Sequence, residues 1–370
     1  MKRNPIGWLL LALAAGRLLA ADQPAAAPPA PADPGPKPWW QSGRWSPPAP
    51  NPRAALLPRI SVKGNHFVNP AGETVLLRGL AIADPDKVAA QGYWKRELFA
   101  AVKETGANLV RIPVHPIAWR ERTPTNYLER LDQAVDWCTD LGLYLIIDWH
   151  SIGNLKSGMF QAPMYDTSLP ETLNFWRLIA LRYRAHHTVA FFELFNEPTD
   201  LRGMLGTFDW TKWREMNEEI IGVMRACGAE AIPLVAGPDW AYDLDPIRYD
   251  PIRADGIGYA VHPYPSKRPQ PWEPKWEADF AFAATKYPVI ATEFGFGLKA
   301  GETDNADHYG ERITRFLEER GISWVGWVFD PNWGPPLLTS FDGFALNPAG
   351  EFFKTALHRP PAPLLEKPKS

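Results

Sequence analysis

The chain has 370 residues, with 39 Lys and Arg against 42 Asp and Glu for a formal charge of −3. That length holds a substantial core in one large domain or two, and the near-neutral balance lacks the basic excess usual in nucleic-acid binders, so no nucleic-acid partner is expected. Two cysteines cannot build a disulfide framework, whereas 17 Trp and 39 Pro stand out.

Lys2 and Arg3 precede an apolar run over 6–15, and the small residues Ala20 and Ala21 follow. A charged start, a short apolar stretch and small residues predict a secretory signal over 1–21, with a retained anchor as the rival reading. The run is shorter than the roughly 20 apolar residues a bilayer span needs, and no later stretch approaches that length. A secreted or periplasmic protein with no stable membrane span is therefore expected. Residues 22–58 contain 12 Pro in 37 positions and read as an extended tether. Trp39, Trp40 and Trp45 within it are expected to pack on the following domain or to touch a glycan. The Pro-rich tail 359–370 is expected to fray.

Between these ends, short apolar runs alternate with amphipathic ones. Strands are predicted at 75–80, 108–113, 143–149, 189–195, 232–237, 257–262, 288–294 and 322–329. All are nearly continuous in apolar residues, as strands buried on both faces must be. Leu128, Leu131, Ala134, Val135, Cys138 and Leu141 recur at three- and four-residue spacing, which predicts a helix over 127–141, stopped by Gly142. Further helices are predicted at 94–105, 171–186, 210–226, 276–287 and 307–320. Eight β-then-α units predict a (β/α)₈ TIM barrel over 59–358, with a hairpin at 60–68 closing its floor. An open doubly wound sheet is the alternative; it lacks a Gly-rich phosphate loop after the first strand.

In such a barrel the chemistry belongs at the carboxyl ends of the strands. Those ends carry Arg111, Asp148 and His150, Asn196 and Glu197, His262 and Tyr264, Glu293, and Trp327. Polar groups placed just after buried apolar strands are costly unless partnered or used. Glu197 and Glu293 come from the fourth and seventh strands, so both can face one cleft. Two opposed carboxylates suit glycosidic cleavage, where one is protonated to release the leaving oxygen and the other is ionised.

The chain resembles glycoside hydrolase family 5 across about 62–357. The resemblance rests on Leu77-Arg-Gly79, Val110-Arg-Ile-Pro113, Asp148-Trp-His150, Phe195-Asn-Glu-Pro198, His262-Pro-Tyr264 and Thr292-Glu-Phe-Gly295, in the family's order. It departs from the family at Ala81, where an Asn is frequent. The resemblance implies Glu197 as general acid/base and Glu293 as nucleophile. A covalent glycosyl–enzyme, net retention and carboxyl groups about 5–5.5 Å apart would follow. It further implies that Asn196 holds the sugar 2-hydroxyl and that Arg111 and Tyr264 keep Glu293 ionised. His150 and His262 would line the cleaved-sugar subsite, with Trp327 as its floor.

Glu193, on the same strand face as Glu197, reads as a barrel-interior partner for Arg78 or Arg111, and Arg78 itself reads as structural. Asp148 is expected to face away or to brace a neighbour. His115, His150, His262 and Asp148 admit a metal reading, but no His-x-His follows the first strand and no His-Glu-x-x-His occurs. Neither a metal nor a cofactor is therefore expected. Cys138 and Cys227 fall on non-adjacent helices, out of disulfide reach. Trp137 and Trp176 read as core; Trp94, Trp119, Trp149, Trp240, Trp272 and Trp333 read as core or sugar platforms; Trp210 and Trp213 fit either. The expected function is a secreted retaining β-glycosidase on a β-linked polysaccharide, first an endo-β-1,4-glucanase. A mannanase, xyloglucanase or β-1,3-glucanase, a transglycosylase and a non-catalytic glycan-binding barrel are the alternatives. Endo or exo action would depend on the loops 239–254 and 263–275; oligomeric state is not readable.

Overall fold

The computed structural model describes residues 52–122, 124–302 and 307–365. The expected signal, most of the tether with its three Trp, and the last five residues of the tail lie outside them. In chain order the strands are β1 (Ser61–Lys63), β2 (His66–Val68), β3 (Arg78–Ala81), β4 (Leu109–Val114), β5 (Tyr144–Trp149), β6 (Ile152–Asn154), β7 (Met159–Phe160), β8 (Val189–Glu193), β9 (Glu197–Pro198), β10 (Ile232–Ala236), β11 (Gly258–Val261), β12 (Val289–Phe294) and β13 (Ser323–Gly326). Eight of them, β3, β4, β5, β8, β10, β11, β12 and β13, pair side by side in parallel and close into a barrel. Each overlaps one of the predicted apolar runs, because a strand covered on both faces needs apolar side chains on both.

Gly79 shows why the first strand carries a glycine after Arg78. A Cβ there would lie 1.9 Å from the Leu109 carbonyl oxygen, so only glycine lets β3 approach β4. Arg78 points out of the barrel and is structural, donating to Glu318 and to the carbonyls of Ala356, Leu357 and Arg359. It fastens the last helix, Pro348–His358, beneath the sheet.

The floor is closed by the antiparallel hairpin β1–β2. Phe67 meets Phe191 edge-on at 4.9 Å, inside an apolar layer that includes Leu109, Ile146, Leu234, Ile290 and Val325. The end of the tether also rests on this floor: Ala54, Leu57 and Pro58 offer carbonyls to His187 and Tyr144, and Arg53 pairs with Asp136 and Asp140.

Two expectations are corrected. The helix predicted over 276–287 is broken into Glu273–Asp279 and a 3₁₀ turn at Ala281–Thr285. The Asp279 carbonyl is taken by the Leu244 amide and its carboxylate by Arg268, which removes the acceptor that would continue the helix. The tail does not fray over its described part: the amides of Ala362 and Leu365 donate to the Glu318 carboxylate and the Glu319 carbonyl. Cys138 is buried and Cys227 half-buried, both as free thiols.

Candidate active site

Glu197 stands at the mouth because the chain leaving β8 is pinned twice. β9 pairs with β6, Ile152 opposite Glu197 and Gly153 opposite Pro198, and the Glu197 amide donates to the Ser151 carbonyl. Glu293 sits inside β12, one residue before its end. One carboxylate oxygen of each lies within 4.8 Å of the other, across the opening.

Beneath them is a buried charged layer. Arg111 is fully buried and divides its guanidinium among four groups. Nε donates to Glu193 at 2.6 Å, Nη1 to Glu293 at 2.8 Å and Nη2 to Asn196 at 2.6 Å, and Nη2 forms an ion pair with Asp148 at 2.9 Å. Burial works against this cation, but Asp148, Glu193 and Glu293 more than offset it and push its pKa upward. Glu193 is thus the interior partner of Arg111, not of Arg78. Burial alone would raise the Glu193 pKa, yet Arg111 and His262 bring it down to about 2. Asp148 faces the interior and braces Arg111 and His150, the latter at 2.6 Å. Burial drives its pKa well above the usual carboxylate range despite Arg111.

Tyr264 donates to the second oxygen of Glu293 at 2.7 Å. Arg111 and Tyr264 therefore do flank Glu293 as expected, but the net pull on it is upward. Burial is the largest influence and Glu197 adds repulsion, outweighing His262, Arg111 and Tyr264. His262 corrects another expectation. Rather than lining an open subsite, it lies fully buried behind Glu197, with Nδ1 at 3.1 Å from Glu197 and Nε2 near Thr292 and Glu193. Burial opposes its charge, but Glu293, Glu193 and Glu197 prevail and raise its pKa to about 9.

His150 stacks on Trp327 at 5.4 Å with the rings 5° from parallel, and both are nearly buried at the cleft base. Burial, together with the cations and histidines around it, holds the His150 pKa well below normal. Asn196 accepts from Arg111 through its oxygen, while its buried Nδ2 has no partner among the described residues, leaving a donor for a bound hydroxyl.

Sequence reasoning missed Tyr165. It lies beside His115 and His150, and its pKa is raised to about 12 by burial and by the charges of Glu197 and Glu293. It ends a 3₁₀ turn, Pro163–Tyr165, in the connection between β7 and the helix Leu169–Tyr183, and no motif marks it. Among the rim tryptophans, Trp119, Trp149 and Trp272 are core, Trp94 packs on Phe99 and Trp137, and Trp240 and Trp333 remain half-exposed beside the cleft. Trp213 is core and Trp210 is tied to the Asp250 carbonyl. Glu197, His262 and Glu293 are close enough for a shared cation. However, both Glu293 oxygens are already engaged by Arg111 and Tyr264, and an ion there would face a guanidinium.

The model of the cellulase family, glycosyl hydrolase family 5, matches residues 68–332. The chain belongs to glycoside hydrolase family 5. Among family 5 structures, β-glucanase SdGluc5_26A from Saccharophagus degradans is 41% identical with a TM-score of 0.80, covering 86% of this chain and 98% of that one. Endoglucanase A of Butyrivibrio fibrisolvens is 28% identical over 214 residues, 56% of this chain and 45% of its own length. Endoglucanase E-5 of Thermobifida fusca is 25% identical over 291 residues, 73% of this chain and 55% of its own. The chain thus spans about half the length of these two endoglucanases.

Proposed function

We propose that this family 5 domain hydrolyses a β-1,4-linked glucan by double displacement with retention. The observation that carries the reading is the pair Glu197 and Glu293, one oxygen of each within 4.8 Å across the mouth, which supports direct attack by one of them, since an inverting pair stands roughly 6.5–9.5 Å apart to admit a water. Glu293 attacks the anomeric carbon while Glu197 gives its proton to the leaving oxygen. The resulting ester removes the negative charge that burial penalises at Glu293. Glu197, now ionised, takes a proton from water, whose oxygen attacks the same carbon and releases Glu293. Asn196 Nδ2 would donate to the sugar 2-hydroxyl, and Trp240 and Trp333 offer flat faces to flanking sugars. The related S. degradans β-glucanase has been crystallised with cellotetraose, which supports a β-1,4-glucan substrate here. Among the described residues no helix is long and apolar enough to cross a membrane, and residues 1–21 are read as an export signal.

The test incubates the purified chain with β-glucan, mannan, xylan and xyloglucan, sizes the products, and follows the anomeric configuration by NMR. New reducing ends from β-glucan, first released in the β configuration, are expected. First release in the α configuration would overturn retention; tight binding with no new ends would make this a glycan-binding barrel.

A further inference from the structure

Seven described residues other than glycine have positive φ, and five of them, Leu201, Arg202, Asp239, Trp240 and Ala241, fall in two loops. Both loops border one cavity of about 610 Å³, together with Glu197, Phe208, Lys267 and Arg268, a volume within the usual range for ligand pockets of about 300–1,000 Å³. Glu293 is not part of its lining. A group that protonates a leaving oxygen must face the departing chain, so the space beside Glu197 and away from Glu293 receives that chain.

Left-handed backbone is unfavourable for residues with a Cβ, and a run of three persists only when its surroundings hold it. At Asp239 and Trp240 φ is 58° and 56°. Gly237 allows the entry, since a Cβ there would lie 1.9 Å from the Asp243 carbonyl oxygen. The clamp comes from the loop after β11. Lys267 Nζ donates to the Asp239 carbonyl at 2.9 Å and lies 4.2 Å from the Trp240 ring centre, while Arg268 pairs with the Asp239 carboxylate at 3.0 Å. Trp240 Nε1 donates to Gln161 at 2.9 Å, which fixes the ring's outer edge. The Ala241 carbonyl accepts from the His262 amide at 2.8 Å, so the turn ends against the residue that holds Glu197.

We propose that Lys267 is a positioning residue for the departing chain: by clamping the left-handed turn it presents Trp240 to the sugar on the leaving side of the cleaved bond. This rests on the glucanase reading. A structural lysine would affect every substrate alike, whereas this one acts only when a sugar leaves.

The test compares wild type, Lys267→Met and Lys267→Arg on cellotetraose and on β-cellobiosyl fluoride, whose leaving group is a fluoride ion that needs no platform. Lys267→Met is expected to lose about tenfold more kcat/KM on cellotetraose than on the fluoride, and Lys267→Arg to regain at least half of that difference. Turnover of the fluoride also reports that each variant is folded. Equal losses on both substrates, no loss on either, or an arginine variant as impaired as the methionine one would each overturn the proposal. A wild-type enzyme that turns over neither substrate would instead overturn the glucanase reading, and this inference with it.

Discussion

Along the same strands, inward-facing side chains change character within two residues. Leu109, Ile146, Phe191, Ala260, Ile290 and Val325 build an apolar layer over the floor hairpin. Two positions on, at the next inward step, stand Arg111, Asp148, Glu193, His262, Thr292 and Trp327, nearly all of them polar and all buried. The lower layer supplies the apolar burial that stabilises a barrel. The upper one collects charges whose desolvation makes buried ion pairs weak sources of stability. Two histidines mark the same contrast. His262 at the mouth is pushed up to about 9, because the surrounding carboxylates overcome its burial. His186 at the floor is pulled down to about 4 by burial and by His187 and Arg53, and neither of its ring nitrogens has a partner among the described residues.

Four experiments would break or sharpen that contrast. Glu293→Gln and Glu197→Gln should each lose at least about a thousandfold in release of reducing ends, while melting within a few degrees of wild type. Near-normal turnover in either would refute its assigned role. Arg111→Met leaves three buried carboxylates without their cation and should destabilise the fold by about 3–5 kcal/mol in denaturant titrations; a loss below about 1 kcal/mol would mean the layer tolerates its charges unaided. Phe67→Ala opens a cavity in the floor and should cost about 3 kcal/mol with kcat unchanged, because the hairpin touches no group at the mouth. A matching fall in kcat would show that the two layers are coupled.

The smallest effect is in pH dependence. A histidine whose folded pKa is depressed contributes stability above its unfolded value, lost as pH falls through the folded one. For His186 that window runs from 6.5 down to about 4. His262, raised, contributes below 6.5 and loses its contribution as pH climbs to about 9. His186→Leu should therefore flatten the acid limb of stability against pH and leave the alkaline limb in place. An unchanged acid limb would show that the floor histidine is not held neutral.

The strands were legible because β4 or β12 must be apolar on both faces to be covered by a barrel and its helices. Glu197 and Glu293 were legible because each ends such a run. Tyr165 and Lys267 were not: each reaches the mouth from a loop whose path depends on contacts far away in sequence. The rim tryptophans show the same limit: Trp149 ends β5 and Trp240 comes just after β10, yet the first is core and the second faces the cleft.

Apolar periodicity and strand-end polarity, both local properties of the chain, determined the barrel, its floor hairpin and the two facing glutamates. Tertiary structure alone decided which polar groups are buried together. Glu193 and Glu197 lie four residues apart, but only the closed ring brings Arg111 against the first, sets His262 between the two and turns the second toward the cleft. Charge state follows from those neighbours and from the exclusion of water, and neither is encoded in any single segment.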